Sequence, residues 1–163
     1  MMAQKNLKDL ILHTLKDVYF AEHEILKALP EMEAAAESQR LREAFSTHRR
    51  QTEQQIERLK QVFQSVGARA EGVPCEAIQG ILAEGREVME EFAGSPALDA
   101  SLIVAAQAVE HYEIARYGAL RSWAELAELD EAEQLLERTL DEEKATDVLL
   151  TEIAEEMANL ETV

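Results

Sequence analysis

Apolar residues return at three- and four-residue steps through most of the chain. Leu7, Ile11, Leu15, Val18, Ile25, Leu29, Met32 and Ala36 mark one stripe, and Leu41, Phe45, Thr52, Leu59 and Val62 a second. The pattern resumes on Leu102, Ala106, Val109, Tyr117, Leu120 and Ala124, and again on Leu135, Thr139, Thr146, Leu149, Ile153 and Met157. Such spacing predicts amphipathic helices. Four long ones are expected: helix A over about 7–37, B over 39–66, C over 97–126 and D over 131–160. Two groups of breakers, Gly67, Gly72 and Pro74 and then Gly94, Ser95 and Pro96, enclose a shorter helix over 75–92. Pro74 lies near its first turn, and Gly80 and Gly85 weaken it. Pro30 is expected to kink or loosen helix A. Ser38 is placed to cap helix B, although Leu41 stands where a capping box needs Glu or Gln. Short turns are expected at 37–39 and at 129–130.

The chain thus reads as two helical hairpins joined by a connection of about 29 residues, far longer than the 2–8 usual between neighbouring helices. Short, long, short is the ferritin-like connectivity. The expected fold is all-α: a single domain, 1–163, built as an antiparallel four-helix bundle with a long B–C crossover carrying a short fifth helix. Composition agrees. The 163 residues are 47% hydrophobic, which excludes a disordered chain, and Gly (6) and Pro (3) are too scarce for a sandwich or barrel.

Charge narrows the partners. Thirty-three acidic residues against 16 basic ones give a net charge of −17, so neither nucleic acid nor an anionic membrane is expected to bind, whereas cations are. The lone Cys75 can form no internal disulfide, which suits a reducing cytoplasm. The first ten residues do not read as a secretory signal, and the longest purely apolar run, about Leu102 to Ala106, is far short of the ~20 residues of a membrane span.

The informative residues are polar ones on apolar faces. Glu22 falls between Val18 and Ile25. Glu113 sits four after Val109 and four before Tyr117, with Glu110 one turn earlier. Glu143 lies seven from both Leu136 and Leu150, and Asp147 is one turn beyond it. His48 follows Phe45 on helix B, with Gln51, Thr52 and Gln55 on the same or an adjoining face. Each alone fits a rim position. Together they fall mid-helix, and mid-helix positions of an antiparallel bundle share one level. Five buried anions in one layer are untenable without compensation. No Lys or Arg stands in phase with them; Arg116 and Lys144 point elsewhere. Two divalent cations would supply about four positive charges, and oxygen donors favour iron, manganese or magnesium over zinc. His23 and His111 each follow a candidate glutamate and so project about 100° away, toward the surface or a supporting position. His48 reads either as a satisfied core histidine or as a ligand. Tyr19, Tyr112 and Trp123 read as packing residues, and Cys75 as structural unless exposed.

The stretches LKDVYFAEHEILKALP (15–30), FSTHRRQTEQQIERLKQVF (45–63), CEAIQG (75–80), AQAVEHYEIARYGAL (106–120) and TLDEEKATD (139–147) together resemble the YciE/YciF family of bacterial stress-associated ferritin-like proteins. The resemblance implies a dimeric ferritin-like bundle with a di-iron-type site of the rubrerythrin class; the chain has no rubredoxin-like Cys cluster, so an electron donor is expected to be external. It places metal ligands on Glu22, Glu110, Glu113, Glu143 and Asp147, with Asp147 standing in for a histidine. Gln51 and Gln55 lie nearest the positions where the family often has Glu and His, and His48 is an additional or supporting candidate. No Glu-x-x-His occurs in the chain, contrary to the usual pattern of such sites. Two readings follow: an iron or manganese centre that handles peroxide or oxygen, or a non-catalytic dimeric stress protein whose site no longer holds metal. Iron storage ranks last, since nothing in the chain points to a hollow shell.

Overall fold

The computed structural model describes residues 4–158, and within them the chain is all-helical, with five α-helices and no strand. They are α1 (Leu7–Ala35), α2 (Gln39–Ser65), α3 (Glu76–Glu91), α4 (Leu98–Leu126) and α5 (Asp130–Ile153). A π-helical segment, Ala154–Ala158, follows α5, so the α-helix expected to reach 160 ends earlier; residues 159–160 and the side chain of Met157 lie outside the described part. The other boundaries fall within about two residues of those the apolar spacing predicts.

Local chemistry explains the ends. Asn6 accepts from the Lys8 and Asp9 amides, and Asp9 accepts from the Asn6 amide in return, so the first turn of α1 is capped reciprocally. The helix continues through Pro30, which is exposed, to Ala35. Ser38 caps α2 by accepting from Leu41 N at 3.4 Å. The Asp99 carboxylate, in the first turn of α4, accepts from the Glu37 and Ser38 amides at 2.8 and 2.7 Å and so ties the α1–α2 turn to α4.

The C-termini of α2 and α4 close alike. Ala68 N donates to Phe63 O and Gly67 N to Gln64 O around Gly67 at φ 71°; Leu129 N donates to Ala124 O and Glu128 N to Glu125 O around Glu128 at φ 55°. This Schellman geometry needs a left-handed residue, which glycine adopts freely and glutamate does not. Glu128→Gly is therefore expected to raise stability by about 1 kcal/mol, read as a higher urea midpoint at unchanged slope. A lower midpoint would show that Glu128 is not strained.

α1 packs along α2 and α4 along α5; α2 meets α5, α1 meets α4, and α3 rests on α4 and α1. The crossover before α3 is fastened to α1 by Val73 N donating to Lys16 O at 3.2 Å. Beside it, a Cβ on Gly72 would come within 3.1 Å of Phe20, so glycine lets the chain pass here without displacing α1 by a few tenths of an ångström.

Most of the expected stripe residues are buried. On α5, however, Leu136, Leu140 and Leu150 face the core, whereas Leu135 and Leu149 are only half-buried, one position out of the expected phase. The interior divides into two apolar clusters. One includes Ile25, Phe45, Leu102, Val109 and Leu150; the other includes Leu15, Val18, Leu59, Tyr117 and Leu140. Along α2, His48, Thr52 and Gln55 lie between the two; along α4, Glu113; along α5, Glu143 and Thr146; and Glu22 on α1 occupies the same level.

Candidate metal centre

Three helices bring His48, Glu110, Glu113 and Glu143 together. Each is buried, and each offers a ligand atom within 4.8 Å of those of the others, so the group can hold a metal ion. His48 Nε2 lies 3.0 Å from Glu110 Oε1, 3.9 Å from Glu143 Oε2 and 4.0 Å from Glu113 Oε2. The 3.0 Å approach lacks hydrogen-bond alignment, and both ring nitrogens are without a partner. Glu110 and Glu113 share a face because they are three residues apart on α4. Glu22, fully buried on α1, joins the layer: Tyr117 Oη donates to its Oε1, and the Glu113 and Glu143 carboxyls are near enough to act on it.

The surroundings are sparing with hydrogen bonds. Gln55 donates to Glu143 Oε1 and, at 3.1 Å, to Glu142 Oε2. Eight buried side-chain atoms find no partner: Glu22 Oε2, both His48 nitrogens, Gln55 Oε1, Glu110 Oε2, both Glu113 oxygens and Glu143 Oε2. Buried polar atoms are normally paired, and every unpaired one among the described residues lies in this layer. Burial, reinforced by the Glu143 charge, pushes Glu22 from the ordinary 4.5 up to about 8 against the opposing influence of the neighbouring Glu113 carboxyl and the Tyr117 hydrogen bond. Burial and then the Glu143 charge likewise hold Glu110 and Glu113 well above the carboxylate range. The same burial and the nearby Glu22 raise the Tyr117 phenol, which stays a proton donor.

Asp147 is not among the residues gathered in this group. It is only half-buried and is engaged at the edge of the helix pair, where Gln107 Nε2 approaches its Oδ1 at 3.3 Å and the exposed His111 at 3.3 Å. It lies one turn past Glu143 on α5, its charge still bears on Glu110, and the imidazole that the group does contain is His48 of α2. Gln55 meets the carboxylates, whereas Gln51 is half-buried and not among their partners. His23 projects away, edge-on to the Tyr19 ring. Cys75 is buried with Sγ 3.4 Å from Tyr112 Oη, a structural placement.

Two participants escape the sequence reading. Tyr117 reads as ordinary core, and only its position four residues after Glu113 signals that its hydroxyl can reach the layer. Arg58 is a buried cation, contrary to the expectation that none is in phase. It donates to Thr139 Oγ1 at 2.6 Å and to both Glu142 oxygens at 3.0 and 3.1 Å, which sets it beside the layer. Its signal is a three-residue step from Gln55. Its hydrogen bonds go to Thr139 and Glu142, and its charge reaches Glu22 only as the smallest of the influences on that carboxyl.

Residues 6–163 match a family described as a domain of unknown function, DUF892. The chain belongs to the DUF892 family. Among its relatives is protein YciF of Escherichia coli K12, 42% identical over 154 residues that cover 94% of this chain and 93% of YciF. The crystal structure of the E. coli stress protein YciF matches with a TM-score of 0.91 at 41% identity, over 96% of this chain and 99% of that one. YcfI, a proposed structural protein from Rhodopseudomonas palustris, matches with a TM-score of 0.88 at 44% identity, over 92% and 96%. A Xanthomonas campestris protein at 20% identity shares the fold alone, with a TM-score of 0.73 over 95% and 94%. The expected kinship with the family of YciF thus holds. No helix among the described residues of the DUF892 chain is long and apolar enough to cross a membrane.

Proposed function

We propose that the buried layer holds two iron or manganese ions, and that the chain is a stress-associated, ferritin-like four-helix bundle whose long crossover carries α3. The observation that carries this reading is the set of eight unpaired buried atoms. Four buried carboxylates, Glu22, Glu110, Glu113 and Glu143, balance two divalent charges, and His48 adds one nitrogen. Oxygen-rich donors with a single imidazole favour iron or manganese over zinc, whose sites more often carry Cys or several His. Asp147 stays outside this ligand set.

When bound, such an ion pair supplies two-electron reduction of peroxide or dioxygen. The chain's own residues prepare the place. Gln55 holds one oxygen of Glu143 and leaves the other free. Tyr117 fixes Glu22 in the same way and keeps its proton. Arg58 and Glu142 close one side of the layer, and the two apolar clusters keep water from it above and below. A second copy of the chain and an external electron donor complete the reading. The exposed Val104 and Val148 give α4 and α5 apolar surface for a homodimer.

Elemental analysis of protein purified without chelators, before and after loading with Fe(II) or Mn(II), tests the proposal. About two ions per chain are expected, falling sharply in Glu143→Gln. No metal under either condition would leave the layer a set of shared protons and the protein a non-catalytic member of its family.

A further inference from the structure

Two small cavities lie end to end beside the His–Glu group. The inner one, about 20 Å³, has room for a molecule the size of water or dioxygen and is lined by Phe45, Leu82, Ala106 and Leu150, with His48 and Glu110 at one end. The outer one, about 10 Å³, lies under α3 against Gly85 and Ala105. Ala28, Met32, Leu82 and Val109 line both and form the partition between them. At the outer cavity's surface side stand Glu31 and Arg86, both exposed, 3.7 Å apart.

We propose that this pair of cavities is a conduit that admits a small apolar gas, dioxygen in particular, from the Glu31–Arg86 edge to the His48–Glu110 side of the layer. The inference rests on the metal-centre reading for its purpose, but not for its test. Ala28, Ala44 and Ala106 keep the inner cavity open where larger side chains would fill a simple core. The only polar side chains on its wall are His48, Glu110 and Thr146, and the Thr146 hydroxyl already donates to Glu142 O at 3.0 Å. Hydrogen peroxide or a hydrated cation would therefore lose its hydrogen bonds over most of the passage, whereas dioxygen has none to lose. The unpartnered, buried imidazole of His48 lies on the inner wall, so the passage ends on the donor group rather than in inert core. Of the residues shared by the two cavities, Met32 and Leu82 are unbranched at Cβ and change rotamer readily. Roofing the route is the role this assigns to α3, which buries only Ile78 and Leu82.

Xenon is the probe, because it enters dry apolar cavities and needs no metal. In metal-free, full-length protein under xenon pressure, methyl NMR shifts are expected at Ala28, Leu82, Ala106 and Val109, and Ala28→Leu should abolish them. Gly85→Leu is the milder variant, since a Cβ there meets only Ala105 Cβ at 3.7 Å; it should remove the xenon response at Ala105 and Ile81. After Fe(II) loading, Ala28→Leu should slow oxidation by dissolved dioxygen at unchanged iron content while oxidation by peroxide keeps its rate. Absence of xenon shifts in wild type, or equal slowing with both oxidants, would overturn the conduit. A chain that takes up xenon but no iron would instead sink the metal-centre reading.

Discussion

Metal-free Glu113→Gln protein is expected to melt at a higher temperature than metal-free wild type, and to gain nothing from added Mn(II). Both Glu113 oxygens are buried without a partner, and burial with the Glu143 and Glu22 charges opposes its ionisation. Without a cation the fold must hold either an unpaired anion or a captured proton at this position. Glutamine keeps the shape, removes the charge and can donate to neighbouring carboxylates. Relief of a buried unpaired charge is worth about 1–4 kcal/mol, and each kcal/mol moves the midpoint by roughly 2–4 °C in a domain of this size. Wild type should gain its stability from the ion instead, in proportion to the logarithm of ion concentration over the dissociation constant. Differential scanning calorimetry with and without Mn(II) separates the cases. A lower midpoint for metal-free Glu113→Gln, with its response to Mn(II) intact, would mean that the carboxylate is structural and not a ligand.

The second large effect is on pH. Glu22 titrates near 4.5 in the unfolded chain and at about 8 in the fold, and Glu110 and Glu113 are displaced in the same direction. Between those values the folded state holds more protons than the unfolded one, so stability falls as pH rises. The contribution is fully present below pH 4.5 and is lost as pH climbs through the folded value, at about 1.4 kcal/mol per pH unit for each extra proton. Chelator-treated protein should therefore lose on the order of 10 °C of melting temperature between pH 5 and pH 8. Surface repulsion from a net charge of −17 works in the same direction. Glu22→Gln should remove the part of the slope that Glu22 contributes and leave the part that Glu110 and Glu113 contribute. Mn(II) should flatten the slope, because binding replaces those protons. A midpoint that is flat or rising across this range, or a slope untouched by Glu22→Gln, would place the buried carboxylates in a hydrated setting.

Most of the helical architecture was legible because one strong signal, the three- and four-residue recurrence of apolar positions, runs through every long helix. Ser38, Gly67 and Pro74 then marked ends by chemistry that acts within a few residues. Phase was harder than extent. On α5, Leu135 and Leu136, and Leu149 and Leu150, are adjacent leucines, so hydrophobicity alone cannot say which of each pair faces inward. The layer was visible as carboxylates interrupting stripes, and Glu22, Glu110, Glu113 and Glu143 do meet at one level. Asp147 lies outside that group, because a four-residue step from Glu143 turns about 40° further round α5. Gln107 and His111, on a neighbouring helix, decide where it points. Arg58 was missed for a related reason: its long side chain reaches inward from a position that its charge alone would assign to solvent. Contacts of this kind depend on partners some 40 to 90 positions away, and no local pattern encodes them.

An ordinary helix in a packed interior holds most firmly at its middle and frays at its ends. Here the apolar grip lies toward the two ends of the long helices, and the mid-length level is held by polar side chains that mostly lack partners. Breathing of the backbone would then begin at the waist of the metal-free molecule, where opening exposes carboxylates that water solvates gladly, rather than at its tips. The same weakness would open a way in for an ion. Once neutralised, the waist would become the tightest cross-brace between helices that otherwise touch mainly through two separate oily caps.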